Sequence, residues 1–489
     1  MAGQALLDAA KLVAALQDEQ VKIACSYHDI NHALAQAKAA YAKIHNEQAA
    51  ASQLPNEILA EIFHLCQDSW AEIYSRGFGL KPFEITASQV TSVWRDIVLG
   101  TQLFWSTINL AVCPQTRWEG RELQRLETYL ARSGRHSLDI FVHVMDSGSF
   151  SEFLYPLATH SFRWRRISFF LSADQHLHDV HRSFHLVESP TLKHFSVVQA
   201  PSFRPPRRDV RVILNPILTF GTPSLSFIRL SLTQGPMSVT PPLGDVTTLH
   251  IDSPAMDALT TEQLQTILRM APRLVNLSLT NLSATVGPAA SLVPTFTPYL
   301  RSLRIRNNPP YSTILSLITP DRLQSLTLHG VNTFTPGTVL SSLQSLTLES
   351  CHLPDIELEA VPRAFPGISS LTVDGSVAGI YKMLGARHLI PPGWSGSMPP
   401  GVLLPNLKTL SIRRLHPFVI MTLGYMVYDR RCIHIPITNV RLDAYSEETL
   451  RAANVLSELS AIVNLEQCEQ LDPWPAGLGY HEPSDGWVL

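Results

Sequence analysis

From residue 164 onward the chain repeats one short apolar pattern. An apolar residue is followed by two of any kind, a second apolar residue, one of any kind and a third apolar residue. It reads Trp164-Ile167-Phe169, Leu192-Phe195-Val197, Leu225-Ile228-Leu230, Val246-Leu249-Ile251, Leu274-Leu277-Leu279 and Leu300-Leu303-Ile305. It continues as Leu323-Leu326-Leu328, Leu343-Leu346-Leu348, Ile368-Leu371-Val373, Leu407-Leu410-Ile412 and Ile437-Val440-Leu442. The starts run from 164 to 437, a mean spacing of about 27 residues, with single intervals between 20 and 39. Each run alternates as a strand with one buried face does. A unit this short cannot bury its apolar face alone, so neighbours must stack and build a parallel sheet.

Between the strands come segments able to return along the other side. "TTEQLQTILRMAP" is the clearest helical one. Pro223, Pro272, Pro298, Pro366 and Pro405 sit just before strands, where they break the return and leave the next strand extended. This accounts for a high proline content, 35 residues. The spacing is similar to that of leucine-rich repeats, although the asparagine or cysteine of the usual repeat turn has counterparts only in Asn308 and Cys351. The array is therefore expected to be irregular. A β-sandwich is the alternative that short strands at regular spacing admit.

Residues 111–160 read as a helix-strand entry to the array. "GRELQRLETYLARSG" is a helix stopped by Gly134, and "HSLDIFVHV" is a strand. At the far end Ser446 is expected to cap a helix carrying Leu456, Leu459 and Val463 on one face, closing the stack. The tail 471–489 is expected to be loop.

The first fifty residues differ in kind. From Gln4 to Gln53 there is neither glycine nor proline, and Ala, Leu, Gln and Lys dominate. A heptad register fits: Leu6, Val13, Gln20, Tyr27, Leu34 and Tyr41 take one seam position, and Ala9, Leu16, Ile23, Ile30, Ala37 and Ile44 the other. Two readings stay open. One is self-association through residues 4–47. The other is a long helix or helical hairpin folding back on the chain.

"LPNEILAEIF", residues 54–63, opens a helix on a proline, which is harmless in a first turn. Ile58, Leu59, Ile62, Phe63, Leu65 and Cys66 form a wide apolar stripe. A polar, glycine-containing insert follows. Then "ASQVTSVWRDIVLGTQLFWSTINL" repeats the helical spacing with Val90, Val93, Trp94, Ile97 and Val98. So small a unit struggles to bury this much apolar surface, which points to a partner. The wording Leu-Pro, Glu57, Ile-Leu, Ile-Phe, then Val90, Trp94-Arg95, Ile97 and Trp105, resembles the F-box. It departs from the family at Thr91, Gln102 and Phe104, and its spacer is long. With the preceding helix it is similar to the expanded F-box families of mushroom-forming fungi. The resemblance implies docking on the Skp-type adaptor of a cullin-RING ubiquitin ligase through Leu54, Pro55, Ile58, Leu59, Ile62, Phe63, Val90 and Trp94. Ile62, Trp94 and Ile97 could equally belong to the small core.

Other chemistry is poorly supported. The formal charge is −3, from 38 basic and 41 acidic residues, which gives no field for steering onto nucleic acid or an anionic membrane. Six scattered cysteines make neither a CxxC pair nor a disulfide framework. Asp8, Lys11, Asp18 and Glu19 interrupt any secretory signal, and no uninterrupted apolar run is long enough to span a membrane. "HLHDVHRSFH" gathers His176, His178, His181 and His185 without a companion ligand set, so a solvated loop or helix is expected rather than a metal site. "RPPRRDVR", residues 204–211, is expected to be an exposed loop between repeats. No phosphate-binding loop, nucleophile elbow or HExxH is present, so no enzyme and no cofactor is expected.

The expected architecture is an α/β repeat protein: a long helix over 1–52, a small all-α F-box over 53–110, and an irregular leucine-rich-repeat solenoid over 161–470. The expected role is that of a cytoplasmic or nuclear adaptor holding a protein target for an SCF-type ligase. The alternative is a repeat scaffold with no ligase attached.

Overall fold

The computed structural model describes residues 2–74, 82–112, 119–145, 150–172, 174–199, 213–231, 237–252, 261–280, 295–306, 311–318, 321–332, 339–358, 360–374, 379–385 and 403–468. The basic stretch 204–211, Asn308, Cys113 and the tail 471–489 lie outside them. Two compact units part between Trp105 and Ser106.

The first unit is helical. Helix α1 (Ala2–Glu47) is one uninterrupted rod, followed by a 3-10 turn at Ala50–Gln53. It is not a hairpin, and every side chain from Leu6 to His45 is exposed, so α1 does not fold back on the described residues. Helix α2 (Asn56–Tyr74) starts where the Pro55 carbonyl accepts the N–H groups of Ile58 and Leu59, both at 3.1 Å. It runs well into the stretch read as a polar insert. Further on, that insert folds as a short helix α3 (Phe83–Ala87), before α4 (Ser92–Gly100) and a 3-10 turn at Gln102–Trp105.

The second unit is built on a fourteen-stranded, wholly parallel sheet. Its strands, with two others, are β1 (Thr107–Val112), β2 (Leu138–Val144), β3 (Trp164–Leu171), β4 (His194–Gln199), β5 (Ile213–Pro216), β6 (Phe227–Ser231), β7 (Met237–Thr240) and β8 (Thr248–Asp252). They continue as β9 (Asn276–Thr280), β10 (Ser302–Arg306), β11 (Ser325–His329), β12 (Ser345–Glu349), β13 (Ser370–Asp374), β14 (Thr409–Arg413), β15 (Asn439–Leu442) and β16 (Asn464–Gln467). Strands β5 and β7 pair separately as a two-stranded parallel sheet. All others follow one another across the main sheet in chain order. Among the connections are α5 (Glu119–Arg132), α6 (Phe150–Thr159), α7 (Asp174–Phe184) and α8 (Thr261–Met270).

All eleven apolar triplets lie on consecutive strands of this sheet, which excludes a sandwich of antiparallel sheets. Their second and third residues, such as Leu326 and Leu328 or Leu346 and Leu348, are fully buried. The stack is longer than the triplets. Strand β1 belongs to the sheet rather than to the helical unit, so the small domain ends at Trp105 and not at residue 110. The entry segment thus supplies the sheet's β2 and the connecting helices α5 and α6. At the far end β16 follows β15.

Two backbone devices recur from repeat to repeat. A proline or its equivalent sits second in a four-residue turn closed on the first apolar residue, as in Leu225 N–H to Thr222 O (3.0 Å), Leu274 N–H to Ala271 O (3.2 Å) and Leu407 N–H to Leu404 O (3.1 Å). Proline's fixed φ suits that position, which explains its frequency better than a simple break in the return segment. The residue after that apolar one then offers a carbonyl to two N–H groups of the next repeat. Val275 O accepts from Arg301 and Ser302, Arg301 O from Gln324 and Ser325, and Gln324 O from Gln344 and Ser345, all at 2.8–3.1 Å.

The C-terminal helix differs from its expected form. Its cap is Asp443, whose carboxylate accepts from Ser446 N–H at 2.8 Å. Ser446 is buried inside the first turn and takes the Leu415 N–H at 2.9 Å. The helix stops at Ala452, and a second short helix, Leu456–Ser460, carries the buried Leu459.

Candidate protein-interaction surfaces

Helix α2 divides its apolar stripe. Leu59 and Phe63 point into the small core and are 3 % and 2 % exposed, while Leu54, Ile58 and Ile62 are 39 %, 49 % and 39 % exposed. The division follows from ring packing. Phe63 meets Trp94 edge-on at 4.7 Å and Phe83 at 5.9 Å, with Phe104 at 6.4 Å. Ile97, Val98, Phe104 and Trp105 complete the core, and the Trp105 indole N–H donates to Val98 O at 2.9 Å. Gln67 ties α2 to the rest, donating to Glu84 (3.1 Å) and to Phe104 O (2.9 Å).

Of the eight residues singled out in sequence, Leu54, Pro55, Ile58, Ile62 and Val90 are exposed, Trp94 is half-buried, and Leu59 and Phe63 are buried. Leu59 and Phe63 therefore shape the surface from beneath rather than forming it. Ile62 is not core, whereas Ile97 is. The eight do not include Val93, which the helical spacing had marked as apolar, nor Leu99 and Leu103, and all three are exposed apolar residues of this unit. Thr91, a departure from the F-box pattern, caps α4 by accepting the Trp94 N–H at 3.0 Å.

The second candidate is the face of the sheet opposite the leucine core, part of which is itself buried: Phe227 and His250 are 2 % exposed, His194 3 % and Arg304 7 %. Its residues are those between the apolar positions, so the register of neighbouring strands places them in columns. Over β2 to β10 the columns carry the aromatic and basic residues Phe141, Arg166, His194, Phe227, Arg229, His250, Arg304 and Arg306, interleaved with Ser168, Ser196, Thr248, Asn276, Ser278 and Ser302. Arg166 lies over the Phe141 ring at 5.0 Å. His194 stacks on Phe227 at 4.0 Å, and Phe227 meets His250 at 5.0 Å. Arg229 pairs with Asp252 at 2.6 Å. Burial holds the His194 imidazole well below its ordinary range, and Arg166, His250 and Arg229 repel its proton further. Burial likewise pushes His250 down to about 3, with Arg229 and Arg306 acting the same way and Asp252 opposing. Both rings are neutral at pH 7 and pack as aromatic surfaces.

Over β11 to β13 two of the columns are hydroxyl throughout. Ser325, Ser345 and Ser370 align in one column and Thr327, Thr347 and Thr372 in the next, all half-buried. An ion pair from Glu349 to Arg413 at 3.0 Å borders this hydroxyl band by reaching past β13. The sequence carried these columns in plain view, but only the register between strands aligns them.

The other candidates resolve as structure. The histidine-rich stretch forms α7, with His176 buried edge-on to Phe150 at 5.4 Å and His181 facing His185 at 5.2 Å. Among the described residues no group of three His, Cys, Asp or Glu side chains is placed to hold a metal ion. Cys351 is a buried thiol whose S–H reaches the Glu349 and Leu328 carbonyls, and burial pushes its pKa up to about 11. Among the described residues no helix is long and apolar enough to cross a membrane. No protein-family model matches the chain, and no curated protein matches it.

Proposed function

We propose that the chain is a substrate-recruiting adaptor of an SCF-type cullin-RING ubiquitin ligase. The helical unit acts as an F-box and docks on the Skp-type adaptor. The repeat unit, a leucine-rich-repeat array in this reading, holds the protein to be ubiquitinated. The observation that carries the proposal is the divided stripe of α2. A small unit with its own aromatic core still exposes Leu54 just ahead of α2, Ile58 and Ile62 on it, and Val90 and Val93 around the start of α4. Exposed apolar surface on this scale marks a protein interface.

The chain catalyses nothing in this role. It supplies proximity, raising the effective concentration of the target's lysines near the charged conjugating enzyme. The half-buried hydroxyl band over β11 to β13 suits a client backbone or polar side chains, and the half-buried Arg229 and Arg306 on the same face are of a residue type that anchors interfaces. The compartment that fits is the cytoplasm or nucleus.

The test is capture of the full chain by an immobilised Skp-type adaptor, alongside a Leu54→Ala/Pro55→Ala variant. Retention of the wild type with loss of the variant supports the reading. Absence of wild-type capture at micromolar concentration overturns it in favour of a repeat scaffold without ligase association.

A further inference from the structure

We propose that α1 pairs with α1 of a second copy of this chain, antiparallel and in full overlap, with the two-fold axis level with residue 25. The proposal does not depend on the ligase reading. It starts from exposure. The large seam residues from Leu6 to Ile44 are between 50 and 77 % exposed, on a rod of 46 residues, about 69 Å long. A helix presenting an apolar seam through six heptads belongs in a coiled coil.

Residue size selects the occupant and the direction. In a parallel pair in register, every layer meets itself. Ala9 faces Ala9 and Ala37 faces Ala37, leaving thin layers, while Tyr27 and Tyr41 each face their own bulk. In an antiparallel pair the first seam position faces the second. Centred on residue 25, Leu6 faces Ile44, Ala9 faces Tyr41, Val13 faces Ala37 and Leu16 faces Leu34. The remaining layers set Gln20 against Ile30, with Asn31 beside it, and Ile23 against Tyr27. The largest seam residue of one end thus meets an alanine of the other. Such interdigitation of large with small is what close packing asks for. The seam is complementary to itself under a two-fold rotation, as an isologous contact must be.

The flanks permit the approach without choosing the direction. Antiparallel pairing brings Leu12 beside Ala40, Glu19 beside Ala33 and Ser26 beside Ser26 on one side. On the other it brings Ala10 beside Lys38 and Gln17 beside Asn31. No like charges meet, and the alanines keep the flanks thin. Direction is set by the layers.

The test is a size swap in the full chain, read by sedimentation equilibrium. The wild type is expected to be dimeric at about 10 µM, each chain being 54.3 kDa. Ala9→Tyr alone crowds the layer and should raise Kd about tenfold. Ala9→Tyr with Tyr41→Ala restores a large residue against a small one, so Kd should return to within about threefold of wild type. Both positions are exposed in the single chain, so neither change burdens its own fold. Direction is read independently by mixing Leu16→Cys and Leu34→Cys chains under oxidation and mapping linked peptides. A 16-to-34 link is expected. A monomer at about 10 µM, a double variant no better than Ala9→Tyr, or a 16-to-16 link would each overturn the proposal.

Discussion

Arg163 shows how a charged residue serves this fold from inside. It is buried just ahead of β3, and its guanidinium donates to Leu130 O (2.7 Å), Gly134 O (2.7 Å) and the Ser133 hydroxyl (2.9 Å). These groups lie at the C-terminal end of α5, where carbonyls lack helical partners and a positive charge is favourable. Arg430 likewise donates to backbone carbonyls, Leu403 O (3.0 Å) and Leu404 O (2.7 Å), ahead of β14. Arg163→Ala should cost about 1–3 kcal/mol, since it removes the buried donor shared by the α5 groups while Leu130 O keeps the Ser133 hydroxyl (3.1 Å); urea unfolding of the pair measures it. The buried histidines set a pH dependence. His143 is pushed down to about 4 by burial, His250 to about 3, and His194 also well down. All three stay neutral in the fold while the unfolded chain takes up protons below about pH 6.5. Stability is therefore full above that value and falls as pH drops toward the folded values. The urea midpoint should be lower at about pH 5 than at about pH 7.5. His250→Phe should flatten that slope, and an unchanged slope would count against this assignment.

At the scale of elements the repeats hold one another through turns as much as through leucines. Gly367 occupies the turn before β13, where an added Cβ would lie 2.6 Å from Ser341 O and 2.9 Å from Leu343 O of the preceding repeat. Both contacts are backbone, so nothing flexible can yield. Gly367→Ala should cost about 1–3 kcal/mol, as overpacking does, and thermal unfolding would register it. The triplets were legible because each combines period-two alternation with a turn signal just before it. Strand β16 was not, since it has a single apolar residue, Leu465, and is held by its ladder, beginning with Asn464 N–H to Thr438 O at 2.9 Å. Strand β1 does carry alternation at Ile108, Leu110 and Val112, but it follows Trp105 so closely that it read as the end of the helical unit. The division of α2 was beyond reach for a different reason. Helical periodicity defines a stripe, and the aromatic rings of Phe83, Trp94 and Phe104 decide which part of it becomes core.

For the whole molecule, the two units carry different kinds of surface. The helical unit offers exposed Leu, Ile and Val. The sheet offers half-buried hydroxyl and arginine side chains over a parallel scaffold that fixes their spacing. Such a division suits a protein that brings two others together. The length of α1 was readable from its lack of glycine and proline, and the exposure of its seam was not, because an apolar seam looks alike whether it folds back or waits for a partner. The most direct measurement of the proposed adaptor role is a calorimetric titration of the full chain with a Skp-type adaptor, repeated with Ile58→Glu/Ile62→Glu. Both positions are exposed, so the variant should keep the wild-type unfolding midpoint. The account predicts one-to-one binding by the wild type, weakened at least about a hundredfold in the variant by two charges placed in an apolar contact. No binding by the wild type, or equal binding by both, would contradict it.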